Sequence, residues 1–146
     1  MVDVPDESWN PEQDGAHELV ERAWELGDER PEEAQRLFER ALEAAPESPE
    51  VLANAARFLS RFDAQRARAL ELFARAVELV PDDAIVLHDA GLCAERQGEF
   101  GRAENWLRES LRIEPQRARA RVDLGRIVDR GRGARAESLE LHVEAL

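Results

Sequence analysis

A chain of 146 residues with a formal charge of −12 fits one domain, and that sign disfavours nucleic acid as a partner because phosphate binding needs a net basic face. No apolar run approaches the ~20 residues of a membrane span, and residues 1–16 hold neither a basic segment nor an apolar run, so neither a membrane location nor a secretory signal is expected. Threonine is absent and isoleucine occurs three times, which together with 43% apolar and 36% charged residues points to an all-α fold in a cytoplasmic protein.

Residues 1–10 are acidic, contain proline and lack periodicity, so a disordered lead-in is expected there. Trp9 is the exception. It is placed to staple onto a first helix capped by Asn10, with Pro11 in the first turn and Gln13 reaching back; an exposed Trp9 used for binding is the alternative. Ala16, Leu19, Val20, Ala23 and Trp24 then form an inner stripe until Gly27-Asp28 breaks the helix, and Pro31-Glu32-Glu33 opens a second helix with acids at its positive end. Ser48-Pro49 pairs a hydroxyl cap with a proline just inside the next helix, whose inner stripe is Leu52, Ala55, Ala56 and Leu59. Phe62-Asp63 ends that helix, Asp63 is expected to cap the following one, and Leu70, Phe73, Ala76 and Val77 face its core.

After Pro81, apolar Ile85, Leu87, Ala90, Gly91 and Ala94 fall at helical spacing until Gly98 interrupts, and Phe100, Ala103, Leu107, Ser110 and Leu111 continue the period. The small residues Gly91 and Ala103 let two antiparallel helices approach closely, with Phe100 and Leu107 filling the space between. Trp106 beside Leu107 is expected to pack. Val122, Leu124, Gly125, Ile127 and Val128 begin a less regular continuation, and Arg130-Gly131-Arg132-Gly133 reads as a glycine-broken turn. Ser138, Leu139, His142, Ala145 and Leu146 then suit another helix, although SLELHVEAL also alternates with the period of a strand. The pairs Glu18–Arg22, Glu32–Arg36, Glu71–Arg75 and Glu104–Arg108 stand one turn apart in the favourable order and mark solvated faces worth ~0.2–0.5 kcal/mol each.

One pattern recurs three times. Ala34-x3-Phe38-x2-Ala41-Leu42-x3-Pro46 returns as Ala69-x3-Phe73-x2-Ala76-Val77-x3-Pro81, and again as Ala103-x3-Leu107-x2-Ser110-Leu111-x3-Pro115, so the prolines stand 35 and 34 residues apart. With Gly91, Gly98, Ala103 and Pro115 at matching places in the third copy, the chain after residue 15 resembles the tetratricopeptide repeat family. The resemblance implies an all-α, right-handed α-solenoid of about four helix-turn-helix repeats, at about 11–46, 47–81, 82–115 and 116–146, in a single domain from residue 11. The first turn is about two residues longer than the family's, the second lacks glycine, and His142 stands where an aromatic is usual.

The resemblance further implies that the first helix of each repeat lines a concave face that grips a partner. By repeat register that face offers Asp14, His17, Glu21 and Glu25, then Glu50, Arg57 and Arg61, then Ile85, His88, Leu92 and Arg96, then Arg119, Val122, Arg126 and Arg130. Arg119, Arg126 and Arg130 share one stripe by spacing alone. Charge is uneven too: residues 1–50 carry sixteen acids against four arginines, residues 101–146 eight against ten. The expectation is therefore a groove acidic at its N-terminal end and basic with apolar pockets in its C-terminal half, taking a protein segment with carboxylates around an apolar anchor. The alternative for the arginine stripe is a solvated face balancing nearby acids. The family's subset that reads a C-terminal carboxylate with lysine and asparagine pairs is disfavoured, since all twenty basic residues are arginine and Asn54 is the sole asparagine on an inner helix. A nucleotide bias explains the missing lysine more simply than selection for bidentate carboxylate pairing does.

Catalytic chemistry has no candidate. His17, His88 and His142 lie far apart without metal-ligand spacing, Cys93 is a lone cysteine suited to a core position in a reducing compartment, and no glycine-rich phosphate loop follows a strand. A non-catalytic protein-interaction adaptor or scaffold without cofactor or metal is expected. The alternative is a regulatory or assembly subunit that docks, or self-associates, through a C-terminal repeat lacking a separate capping helix.

Overall fold

A computed structural model describes residues 15–144. Seven α-helices follow one another among those residues: α1 (Ala16–Leu26), α2 (Pro31–Ala44), α3 (Pro49–Leu59), α4 (Arg66–Leu79), α5 (Ala84–Arg96), α6 (Phe100–Ile113) and α7 (Ala118–Glu144), with a short 3₁₀ turn at Asp63–Gln65 before α4. The expected contributions of Trp9, Asn10, Pro11, Gln13 and Asp14 lie outside the described residues.

Local chemistry fixes most helix ends. The Ser48 hydroxyl accepts from the Val51 amide at 3.3 Å with Pro49 at the first helical position, and one Asp83 carboxylate oxygen accepts from the Ile85 and Val86 amides at 3.0 Å each. Gly27 closes α1, and Gly98 closes the α5–α6 turn at φ 75°, a left-handed conformation that glycine adopts without a Cβ clash.

Adjacent helices pair antiparallel as α1–α2, α3–α4 and α5–α6, and successive pairs stack through α2–α3, α4–α5 and α6–α7. The core is the row of stripes expected from spacing: Leu19, Val20 and Ala23, then Ala34, Phe38 and Ala41, Leu52, Ala55 and Leu59, Ala69, Phe73 and Ala76, Ala90 and Ala94, Ala103 and Leu107. Trp24, Phe38, Phe58 and Phe62 fill the seam between the first two pairs, with ring centroids 5.0–5.9 Å apart. In the third pair a Cβ on Gly91 would stand 3.0 Å from Leu107 Cγ and 3.3 Å from the Ala103 carbonyl oxygen, so glycine there sets how closely α5 and α6 approach. Cys93 is a core residue. Burial pushes its thiol up to about 11, and its Sγ lies 3.8 Å from the Arg66 carbonyl oxygen. The stacked pairs form an all-α solenoid.

Two expectations fail. The turn at Arg130-Gly131-Arg132-Gly133 does not form, and α7 runs unbroken from Ala118 to Glu144, so no second helix folds back in a fourth pair. Gly131 is buried, and a Cβ there would stand 3.0 Å from Phe100 Cβ. This glycine serves close packing of α7 on α6, and a tertiary contact overrides its breaking tendency. At the other site, Asp63 does not cap α4. Its carboxylate takes the Arg66 guanidinium at 2.5 Å, and the 3₁₀ turn places Arg66 as the first α-helical residue.

Candidate binding face

The first helices of successive pairs touch each other directly, α1 with α3 and α5 with α7. Along this row polar side chains join each first helix to the next. His17 Nδ1 and Nε2 lie 2.8 Å from Glu50 and 3.2 Å from Glu21; hydrogen bonding to Glu50 and the acidic surroundings hold this exposed imidazole above its ordinary range. Trp24 Nε1 donates to Asn54 Oδ1 at 2.9 Å, and Asn54 Nδ2 donates to the Glu50 carbonyl of its own helix at 2.8 Å. Arg61 donates to Asp28 at 2.7 Å with its guanidinium 5.3 Å from the Trp24 ring centre.

From α3 to α5, Arg57 Nε donates to Asp89 at 2.5 Å, and Arg96 reaches the Ser60 carbonyl at 3.5 Å. From α5 to α7 the network is denser. His88 Nε2 donates to Asp123 at 2.8 Å with both side chains buried, and Arg117 approaches His88 Nδ1 at 3.4 Å. Glu95, 5% exposed, accepts two hydrogen bonds from Arg126 at 2.9 and 2.7 Å and one from Arg130 at 2.7 Å, while Arg126 also reaches Asp123 at 2.8 Å. Hydrogen bonds from Arg126 hold the Glu95 carboxyl below its ordinary value despite its burial. Burial opposes ionisation of Asp123 most strongly, yet hydrogen bonds from His88 and Arg126 outweigh it and lower its pKa as well. Arg126, between two carboxylates, is held protonated well above the ordinary guanidinium range.

This geometry redistributes the predicted site. Arg57, Arg61, Arg96, Arg126 and Arg130 all brace neighbouring helices. His88 is 6% exposed and turned inward. The three-arginine stripe is not one unit: Arg126 and Arg130 meet at Glu95, whereas Arg119 is exposed with no partner among the described residues. Leu92 is half-buried, and Ile85 and Val122 stand out at 50% and 69% exposure. At the N-terminal end Glu21, Glu25 and Glu50 are exposed, and His17 lies between Glu21 and Glu50. Sequence spacing missed Asp89, Glu95 and Asp123, the acids that neutralise the C-terminal half. The signal was a separation close to one repeat: 32 residues for Arg57 and Asp89, 31 for Glu95 and Arg126, 35 for His88 and Asp123. Among the described residues no group of three histidines, cysteines or carboxylates is arranged to hold a metal ion, and no helix is long and apolar enough to cross a membrane.

Residues 52–118 match a family model described as a tetratricopeptide repeat. That stretch, from α3 to the start of α7, carries the tetratricopeptide repeat pattern, and the match supports assigning the chain to that family. Solved tetratricopeptide repeat structures share its fold. The first such domain of Spaghetti (RPAP3), solved bound to the HSP90 peptide SRMEEVD, gives a TM-score of 0.71 at 21% identity over 78% of this chain and 90% of that one. MamA gives a TM-score of 0.72 at 21% identity over 86% of this chain and 72% of that chain. YrrB, a tetratricopeptide repeat protein with an unusual peptide-binding site, gives 0.65 at 21% identity, covering 74% of this chain and 56% of its own. No curated protein matches the chain.

Proposed function

We propose that this tetratricopeptide repeat protein is a non-catalytic, cytoplasmic adaptor that holds a segment of another protein against the row formed by α1, α3, α5 and α7. The observation that carries this is a set of groups left open on α5 and α7: Ile85 and Val122 expose apolar surface and Arg119 has no partner among the described residues, while Arg57, Arg61, Arg96, Arg126 and Arg130 are engaged within the chain. Apolar anchors give most of the affinity in such contacts, and an unpaired guanidinium adds a directional fork for a carboxylate. The ligand that fits is an extended or helical segment with one apolar side chain and a nearby acid. Peptide binding in RPAP3 and YrrB supports the general role. The recognition of a C-terminal carboxylate through lysine and asparagine pairs is not supported, because lysine is absent and Asn54 is committed to Trp24.

The test is selection of random peptides displayed on phage against the immobilised chain. The expected outcome is enrichment of sequences with an apolar residue flanked by Asp or Glu, and loss of that enrichment on the Arg119→Glu, Val122→Glu double variant with unchanged helicity. No enrichment, or equal enrichment on both, contradicts the assignment.

A further inference from the structure

His17, Glu50, Ile85 and Arg119 are each the second residue of α1, α3, α5 and α7, and all four are exposed. The starts of these helices lie along one edge: His17 meets Glu50 between the first two, and His88 meets Asp123 near the starts of the last two. Chemistry changes along that edge. It is acidic at Glu18, Glu21 and Glu50, apolar at Ile85, and cationic at α7, where Val122 stands one turn beyond the bare Arg119. Arg121 gives its guanidinium to the Pro115 carbonyl oxygen, so its charge too has no carboxylate against it.

The chain itself enters this edge at its acidic end, because Gly15 directly precedes α1. Residues 1–14 hold five acids, no base and one aromatic, Trp9, with Asp6 and Asp3 on its far side from α1. Reach fits the edge. Neighbouring helix axes stand about 10 Å apart, which puts α5 about 20 Å and α7 about 30 Å from α1. Trp9 is six residues before Gly15 and Asp6 nine, spans of about 20 and about 30 Å at ~3.3 Å per extended residue. Trp9 therefore comes level with Ile85, and Asp6 with Arg119. Like charge keeps Glu12 and Asp14 from settling on Glu18 and Glu50, so the attraction lies beyond them. The chain's other acidic-apolar stretch cannot compete: Leu139 lies seventeen residues past Val122 on the unbroken α7, about 25 Å away at ~1.5 Å per residue. A second copy competes poorly, since so short a tether gives an effective concentration on the order of millimolar.

We propose that residues 3–9 of this chain occupy its own inner edge, with Trp9 against Ile85 and with Asp6 and Asp3 at Arg119, so that a partner must displace them. This rests on the reading of that face as a site for an acidic-apolar segment, and it supplies the regulation of that site.

The experiment places a bimane label, which tryptophan quenches on contact, at Asp82→Cys in a full-length Cys93→Ala chain. Asp82 is exposed just before Ile85. The expected result is quenching that is lost on Trp9→Phe and on Arg119→Glu at unchanged helicity, and that does not vary with chain concentration. A label at Arg75→Cys on α4 should not respond to Trp9→Phe. No response to Trp9→Phe at Asp82→Cys, or a larger one at Glu18→Cys, would return Trp9 to a staple on α1 and overturn the proposal. Quenching that fades on dilution would overturn it in favour of a second copy's segment. Binding of the phage-selected peptide separates the two readings. Peptide binding without quenching by Trp9 removes only the chain's own segment from the face, and quenching by Trp9 with no peptide selected removes only the external partner. With both correct, Trp9→Ala should tighten peptide binding.

Discussion

Glu95 on α5 receives both arms of the Arg126 guanidinium from α7, at 2.9 and 2.7 Å, while 95% of its own surface is withdrawn from solvent. Arg126 and Arg130 keep about half their side chains in water, so the cations lose little solvation and the buried carboxylate gains three donors. Replacing Glu95 with Gln removes the charge but keeps the shape. We expect destabilisation of about 1–3 kcal/mol, the usual loss for hydrogen bonds to a charged group. Urea denaturation followed by circular dichroism measures it, and amide exchange should show the loss concentrated in α7.

The same carboxyl predicts an acid limb. Glu95 and Asp123 titrate below their ordinary values of 4.5 and 3.8, so the unfolded chain binds protons more readily than the folded one as pH falls. Their contribution is complete above those ordinary values and is lost as pH drops through the lower folded ones. Their share of the stability should therefore be constant from pH 7 to about 5 and be lost below about 4.5, so the acid fall in melting temperature should be shallower in Glu95→Gln. An equal fall in both proteins would remove Glu95 as its source.

Glycines with different surroundings should respond oppositely to alanine. Gly91→Ala forces its Cβ to 3.0 Å from Leu107 and 3.3 Å from a backbone oxygen, and overpacking of this kind costs about 1–3 kcal/mol. Gly101→Ala, helical, exposed and with nothing within 4 Å, should stabilise by about 0.5–1 kcal/mol through helix propensity. Denaturation midpoints decide both.

Cys93 should be a silent thiol. With its pKa raised from 9.0 to about 11 by burial, its thiolate population at pH 8 is about a hundredfold below that of a free cysteine, before access is considered. Labelling by a disulfide reagent should be slow in buffer and fast in denaturant.

Spacing and capping chemistry made the first six helices legible. Ser48 caps where its side chain must, Pro31 and Pro49 start helices, and Phe38, Phe73 and Leu107 recur as buried anchors at equivalent places in successive pairs. The inner face was legible only as positions. Which charges stay free depends on pairs about one repeat apart, and Arg126 meets Glu95 only after α5 and α7 have stacked. α7 was misjudged for a related reason: Gly131 looks like a breaker in isolation, but Phe100 packs against it from another helix. Of the surface pairs expected one turn apart, Glu104–Arg108 forms at 2.7 Å, whereas Arg75 reaches across to Glu47 on the preceding pair.

Fluorescence anisotropy of a selected acidic-apolar peptide, titrated with the unaltered chain and with variants on opposite faces, separates the inner row from every other surface. Arg119→Glu and Val122→Glu, on the inner row, should each weaken binding about tenfold or more, the scale of a lost anchor or charge pair. Arg75→Glu on α4, a second helix of its pair and so outside that row, should leave it unchanged. Equal weakening by all three, or none by the first two, would mean that the peptide is held elsewhere.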